Sequence, residues 1–394
     1  MQFSKSNSFL TFINSHTKEL FATLALYLLS SALLARPTKA IASVSIPKMK
    51  IIPPSECFSE KELQTLAVCY NEDEPKGKIL AARHGNTHYR VYGTQNGPSA
   101  KGLVVLSHGI GVSHHAFEEF AQSLVESGYS VLSYDYFGHG YSKYIGDMFF
   151  DYDIDMFVDQ LEDVLSFVEK DVGETCVAIC GHSTGGLVCA AANKRWLESG
   201  SRSSIPKVIL CASAMYAKKP FMARVADKIP KQLTFVMKNF APSRVIIGDS
   251  YMEAGEIAFG RDPSSNKVIF AEQEQKKADI DNVLFGKVKG KDKHPYLAGG
   301  ILSINCHTLR GDLLKGHRDV FVKMLELSGD KSKTYMLWGN LDRTVPYLEN
   351  VDEVKKWESK FDNFQISVLD RHGHEMFYED SKKIAEIVLK ILDE

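Results

Sequence analysis

Val177-Ala178-Ile179-Cys180-Gly181-His182-Ser183-Thr184-Gly185-Gly186-Leu187-Val188 is the stretch on which the reading of this chain turns. It opens with a short apolar run, Val177 to Ile179, suited to a buried strand. It closes on Gly186-Leu187-Val188, where a helix is expected to begin. Between them, Gly181 to Gly185 fits G-x-S-x-G. In that pattern a tight strand-to-helix turn lifts the serine hydroxyl clear of the backbone and tolerates only small neighbours. Gly181, Gly185 and Gly186 supply them. The helix N-terminus behind Ser183 aims free N–H groups and a positive dipole end at any oxyanion formed there. The competing explanation is a glycine-rich turn with an exposed serine, and the placement between strand and helix counts against it.

The same alternation extends outward in both directions. Leu103 to Leu106 is an apolar run ending at His108-Gly109, and Phe117, Phe120, Ala121, Leu124 and Val125 follow at helical spacing, closed by Gly128. Val131-Leu132 starts a strand ending at Asp135. Phe157, Val158, Leu161, Val164, Leu165 and Val168 form a second amphipathic helix. Further strands are expected at Val208–Leu210, Tyr335–Trp338 and Ile366–Leu369, and a last helix carries Ile384, Ile387, Val388 and Ile391. Near-continuous apolar strands separated by amphipathic helices predict an α/β fold, with a mostly parallel central sheet and helices on both faces. From about Met215 to about Val320 the alternation breaks, and this region reads as an inserted cap or lid. The expected organisation is a signal or anchor over 1–42, an extension over 43–85, core over 86–215, cap over 216–325 and core again over 326–394.

Composition narrows the function. The 394 residues are 44% hydrophobic and 24% charged, which excludes a disordered or fibrous chain. With 47 basic against 49 acidic side chains, nothing is built to neutralise phosphates, so no nucleic-acid partner is expected. Seven cysteines make no disulfide scaffold. Cys57 and Cys69 either pair or remain free surface thiols. Leu20 to Ala35 carries no charge and falls between the length of a signal-peptide apolar region and that of a spanning helix. A cleaved signal, an uncleaved anchor and a transit peptide all stay open, so the expectation is a secretory, membrane-associated or organellar location.

A serine hydroxyl is a weak nucleophile and needs a base, which needs an orienting acid. Asp342 lies a few residues past the end of the strand Tyr335–Trp338, where functional groups of such sheets gather. Arg371-His372-Gly373-His374-Glu375-Met376 follows the strand Ile366–Leu369 and offers two histidines. His374 is preferred to His372, since it follows Gly373 and precedes an apolar pair and the acidic Glu379. The chain order Ser, Asp, His is that of the α/β-hydrolases.

With these motifs the chain resembles an α/β-hydrolase of the branch that holds the monoacylglycerol lipases and S33 serine aminopeptidases. Ser107-His108-Gly109-Ile110-Gly111, Asp135-Tyr136-Phe137-Gly138-His139-Gly140-Tyr141-Ser142, the Ser183 turn, Gly339-x-x-Asp342, and Gly373-His374 with Glu379 carry the resemblance together. It implies Ser183 as nucleophile, His374 as general base and then acid, and Asp342 as orienter. It also implies an oxyanion hole from the backbone N–H groups of Ile110 and Thr184. Gly138-His139-Gly140 would shape a nearby loop, and His182 would pack or hydrogen-bond rather than act as a second base.

Other chemistries fail on particular residues. Tyr378 stands where H-E-x-x-H needs its second histidine, and His114 and Lys143 stand where dinucleotide fingerprints need glycine. Gly286 to Lys291 is one residue short of a P-loop. Cys176, Cys180, Cys189 and Cys211 fall in or beside apolar segments, as buried small hydrophobes rather than metal ligands. No cofactor and no metal are expected. Ser183 replaces the carboxylate nucleophile that dehalogenases and epoxide hydrolases of this fold need. The expected substrate is a small-molecule or lipid ester, with a monoacylglycerol or lysophospholipid first. Other carboxylic esters, thioesters and peptides remain alternatives, as does a ligand-binding homologue that turns over slowly. Phe221, Met222, Phe235, Val236, Met237 and Phe240 would line an acyl channel, meet a membrane surface or pack on the sheet edge. The oligomeric state is open.

Overall fold

Ten strands form one sheet in the computed structural model, which describes residues 49–70, 76–93, 99, 101–110, 112–145, 153–214, 260–265, 269 and 317–394. The strands are β1 (Lys50–Ile52), β2 (Lys78–Ala81), β3 (Gly85–Tyr92), β4 (Leu103–Ser107), β5 (Ser130–Tyr134), β6 (Lys143–Tyr144), β7 (Cys176–His182), β8 (Lys207–Cys211), β9 (Thr334–Gly339) and β10 (Phe364–Leu369). Their spatial order is β1-β2-β3-β5-β4-β7-β8-β9-β10, with β6 paired to β3. From β5 through β10 every pairing in that order is parallel, whereas β1, β2 and β3 pair antiparallel. The helices are α1 (Pro54–Cys57), α2 (Glu60–Tyr70), α3 (Glu118–Glu126), α4 (Ile154–Val172), α5 (Thr184–Ser199), α6 (Arg318–Ser328), α7 (Tyr347–Lys360), α8 (Met376–Glu379) and α9 (Ser381–Asp393).

The apolar runs dictate this layering. Leu103, Val104, Val105 and Leu106 are fully buried, as a central parallel strand covered on both faces requires. Crossovers between parallel strands are right-handed. The step from β4 to β5 runs opposite to the steps from β7 to β8 and from β8 to β9. The intervening helix α3 therefore lies on the other face from α5 and α6. Contacts agree: α4 and α6 both pack on α5, and α9 packs on α3. Helix α4 is held at both ends. The Asp153 carboxylate accepts the Met156 N–H at 2.8 Å, and Gly173 closes the helix in the left-handed region, where a side chain would be strained.

The N-terminal part departs from the expected division. Residues 50–81, read as an extension outside the core, supply β1 and β2 to the same sheet. Ile52, Cys57, Phe58, Leu66, Ile79 and Tyr141 form a small second core there. Short apolar pieces such as Lys50-Ile51-Ile52 carry too little periodicity to announce a strand; pairing with β2 makes one of them. Cys57 is a free, buried thiol that accepts the Asn86 amide at 3.1 Å, neither bridged nor on the surface. Helix α5 begins at Thr184, two residues ahead of expectation. Helix α6 runs across position 325, where the insertion was expected to end, and packs on α5.

Cys176, Cys180, Cys189 and Cys211 are fully buried within strands and α5, as their apolar neighbours suggested. The hydrophobic segment Leu20–Ala35 and the apolar residues Phe221 to Phe240 lie outside the described residues. No helix among the described residues is long and apolar enough to cross a membrane.

Candidate active site

The three expected side chains follow strands β7, β9 and β10, Ser183 directly after His182 and Asp342 and His374 in the loops beyond Gly339 and Leu369, at the carboxyl edge of the parallel sheet. Ser183 follows β7 with φ 53° and ψ −117°, a conformation that costs a residue with a side chain about 1–3 kcal/mol. Three backbone bonds hold it there. Its N–H donates to the Cys211 carbonyl at 2.8 Å, and its carbonyl accepts from Gly186 and Ala214 at 3.1 and 3.0 Å. The turn closes so tightly that a side chain at Gly181 would overlap the Gly185 carbonyl, and one at Gly185 would overlap the Ser107 carbonyl. Ser183 itself is partly exposed, among buried neighbours.

Asp342 and His374 meet directly. The His374 Nδ1–H donates to Asp342 Oδ2 at 2.9 Å, with both residues buried. The other carboxylate oxygen, Oδ1, accepts the Thr344 and Val345 N–H groups, each at 2.9 Å. The turn thus fixes the carboxylate, and the carboxylate fixes the tautomer: with Nδ1 protonated, Nε2 is the basic nitrogen. Burial pushes the imidazole toward lower pKa, but the Asp342 charge and hydrogen bond outweigh it, so His374 lies above the ordinary histidine value. His372, the rejected alternative, donates Nδ1–H to the Asp370 carbonyl at 2.8 Å.

His182 joins the two halves of the site. Its Nε2–H donates to the His374 carbonyl at 2.8 Å, and the two rings lie 4.8 Å apart. Burial, reinforced by His374, pushes His182 down to about 3, so it stays neutral and serves as a hydrogen-bonding residue, as expected. Since Ser183 is the next residue, the His374 ring stands beside the Ser183 turn.

The loop after β4 passes close to the serine: a Cβ on Gly109 would sit 3.1 Å from Ser183 Cβ. The Tyr136 N–H donates to His108 Nε2 at 2.9 Å. His108 must then carry its proton on Nδ1, which donates to the Gly109 carbonyl at 2.7 Å. A trans peptide points its N–H opposite its carbonyl. Gripping Gly109 O therefore aims the Ile110 N–H away from His108. That role of His108 was not foreseen; the motif marked the residue without indicating which atom it would hold. Thr184 opens α5 and is buried, while Gly111 lies outside the described residues.

Asp135 organises the adjoining loop. Its carboxylate accepts from His88 Nδ1 at 2.8 Å, from the His114 backbone N–H at 2.8 Å and from the Tyr141 N–H at 3.2 Å. Gly140 lies so close to that carboxylate that a side chain would collide with it. His139 donates toward the Phe137 carbonyl at 3.3 Å, in keeping with a loop-shaping segment.

Two clusters of described residues bring three ligand atoms within 4.8 Å: His88, His114 and Asp135, and His182, His374 and Glu375. In the first, Asp135 already takes the Nδ1–H of both imidazoles. In the second, His182 is committed to the His374 carbonyl.

A strand-turn-helix serine, an acid after a later strand and a histidine after the last strand, on this sheet order, define the α/β-hydrolase fold. Residues 98–381 match the family described as serine aminopeptidase, S33, and the chain belongs to that family. It is 31% identical over 147 residues to the monoglyceride lipase of Rattus norvegicus, covering 37% of this chain and 46% of that enzyme. The match thus spans about half the length of this curated relative. Among solved structures, an esterase from Exiguobacterium antarcticum superposes with a TM-score of 0.54 at 19% identity, covering 81% of this chain and all (100%) of that one. The enol-lactonase from Burkholderia xenovorans LB400 gives 0.55 at 17% identity, covering 79% and 97%. At such identities these two speak for the fold.

Proposed function

We propose that this protein is a serine hydrolase that cleaves carboxylic esters through an acyl-enzyme, with a lipid ester such as a monoacylglycerol or lysophospholipid as substrate. The observation that carries the reading is the Asp342–His374 hydrogen bond standing beside the strained Ser183 turn. Ser183 Oγ attacks the ester carbonyl while His374 Nε2 takes its proton. The tetrahedral oxyanion is met by the Ile110 and Thr184 N–H groups, the first aimed by His108. Collapse expels the alcohol, which takes the proton from His374. Water then adds to the acyl-enzyme with His374 again as base, and the acid leaves. The similarity to a monoglyceride lipase supports the ester reading, and the apolar Leu20–Ala35 segment, expected to be a signal or anchor, favours a lipid acyl chain.

Activity should require neutral His374. Its upward shift means that kcat/KM is lost as pH falls through a value above that of an ordinary histidine. A pH–rate profile checks this, and a rate unchanged down to pH ~4 contradicts a histidine base.

The test of the function is a fluorophosphonate probe followed by a substrate panel. Stoichiometric labelling of Ser183 and faster turnover of long-chain than short-chain acyl glycerols are expected. The family description names peptidases, so an N-terminal proline peptide belongs in the panel; preference for it or for acetyl esters overturns the lipid reading. A slow binding homologue would label poorly and show no burst.

A further inference from the structure

Glu379 has no part in the reaction above, yet both of its carboxylate oxygens are committed. Oε2 accepts the Gly373 N–H at 2.7 Å, and Oε1 accepts the Gly260 N–H at 2.7 Å. Gly373 is the residue before His374. Gly260 lies 119 residues earlier than Glu379, inside the expected insertion over 216–325. A single carboxylate therefore ties a piece of the insertion to the loop that bears the imidazole. The two backbones are in close contact: a Cβ on Gly260 would sit 2.7 Å from the Arg371 carbonyl oxygen and 2.9 Å from the Gly373 nitrogen.

This is a costly way to join two loops. The carboxylate is buried, and Glu375 and Asp342 add like charge. Burial first, against the pull of the two N–H groups, pushes Glu379 up to about 7. His374 feels its charge in turn. Asp370, Arg371, His372, Arg261 and Asp262 are the other ionisable groups on the joined segments, and Tyr378 and Asp380 flank Glu379 itself. A hydrophobic contact would join the loops without this burden, whereas an ionised acceptor fixes two N–H directions at once through charge-assisted bonds.

We propose that Glu379 is a positioning residue for His374, clamping the inserted segment and the histidine loop so that docking of one sets the placement of the other. This rests on the reading of His374 as the base. Ionised Glu379 holds both N–H groups. As pH falls it gains a proton, and the acid O–H weakens the clamp while His374 is also losing its basic lone pair. Two protonations then shape the acid limb of the pH–rate profile.

The test compares wild type with Glu379→Gln and Gly260→Ala on p-nitrophenyl butyrate across pH, with rates divided by fluorophosphonate-titrated active sites. Glu379→Gln should lower kcat about 10–100-fold, the scale of a small misplacement of a catalytic group, with KM nearly unchanged. The slope of log kcat/KM on the acid limb should fall from near two toward one. Gly260→Ala presses on the clamp from the far side and should also lower kcat. Unchanged kcat in either variant, or an unchanged slope in Glu379→Gln, overturns the clamp; if Glu379→Gln does not fold, Gly260→Ala decides alone. A wild-type protein that neither labels nor turns over any ester overturns the serine-hydrolase reading instead.

Discussion

Ser183→Ala is expected to lower kcat by about 10⁴–10⁶-fold and to abolish fluorophosphonate labelling while the protein remains folded. The fold survives because the turn is held by backbone bonds, from Ser183 to Cys211 and from Gly186 and Ala214 to Ser183, which alanine keeps. Alanine also meets the same positive φ as serine. What disappears is the only step in which a covalent acyl group is carried. The residual rate should reflect the oxyanion donors and substrate binding alone. Steady-state kinetics on the purified variant, with circular dichroism as the folding control, decide the matter. Undiminished hydrolysis by a folded variant rejects Ser183 as nucleophile.

Asp342→Asn is expected to cost about 10⁴-fold in kcat, by analogy with other serine triads. The reason lies in the hydrogen-bond pattern. Oδ1 is held by the Thr344 and Val345 N–H groups, so an asparagine keeps its carbonyl oxygen there. Its NH₂ then faces His374 Nδ1 and can only donate. The imidazole must shift its proton to Nε2, which then has no lone pair with which to take the serine proton. Loss of the Asp342 charge also removes what holds His374 above its ordinary pKa, so any residual activity should extend to lower pH. A harmless Asp342→Asn would pass the role to another acid. Asp370, the acid directly after β10, is placed otherwise: its Oδ1 accepts the Asn340 amide at 2.8 Å, and the bond to His374 comes from Asp342.

Much of the sheet could be read in advance because its strands are buried on both faces. Val105, Leu132, Ile179 and Ile209 sit in apolar runs that no surface segment would carry. The placement of Ser183, Asp342 and His374 after strand ends was legible for a related reason: each follows such a run within a few residues, and glycine or an acid marks the turn. The antiparallel edge was not. β1 and β2 are short, and half-buried pairing leaves little pattern in three or four residues. Nor could His108 and Glu379 be given tasks. Their partners are backbone atoms, the Gly109 carbonyl and the Gly373 and Gly260 N–H groups, which every residue possesses and no sequence distinguishes.

The positive φ at Ser183 has a consequence for anyone seeking a hardier form of this protein. Glycine is the residue at ease in that backbone. A selection for heat tolerance alone, blind to turnover, would be drawn toward glycine here as at Ala212 and Arg371, and here it would discard the hydroxyl of the proposed nucleophile in the process. Robustness and reactivity pull in opposite directions at a single Cα, and the chain has kept the less comfortable residue.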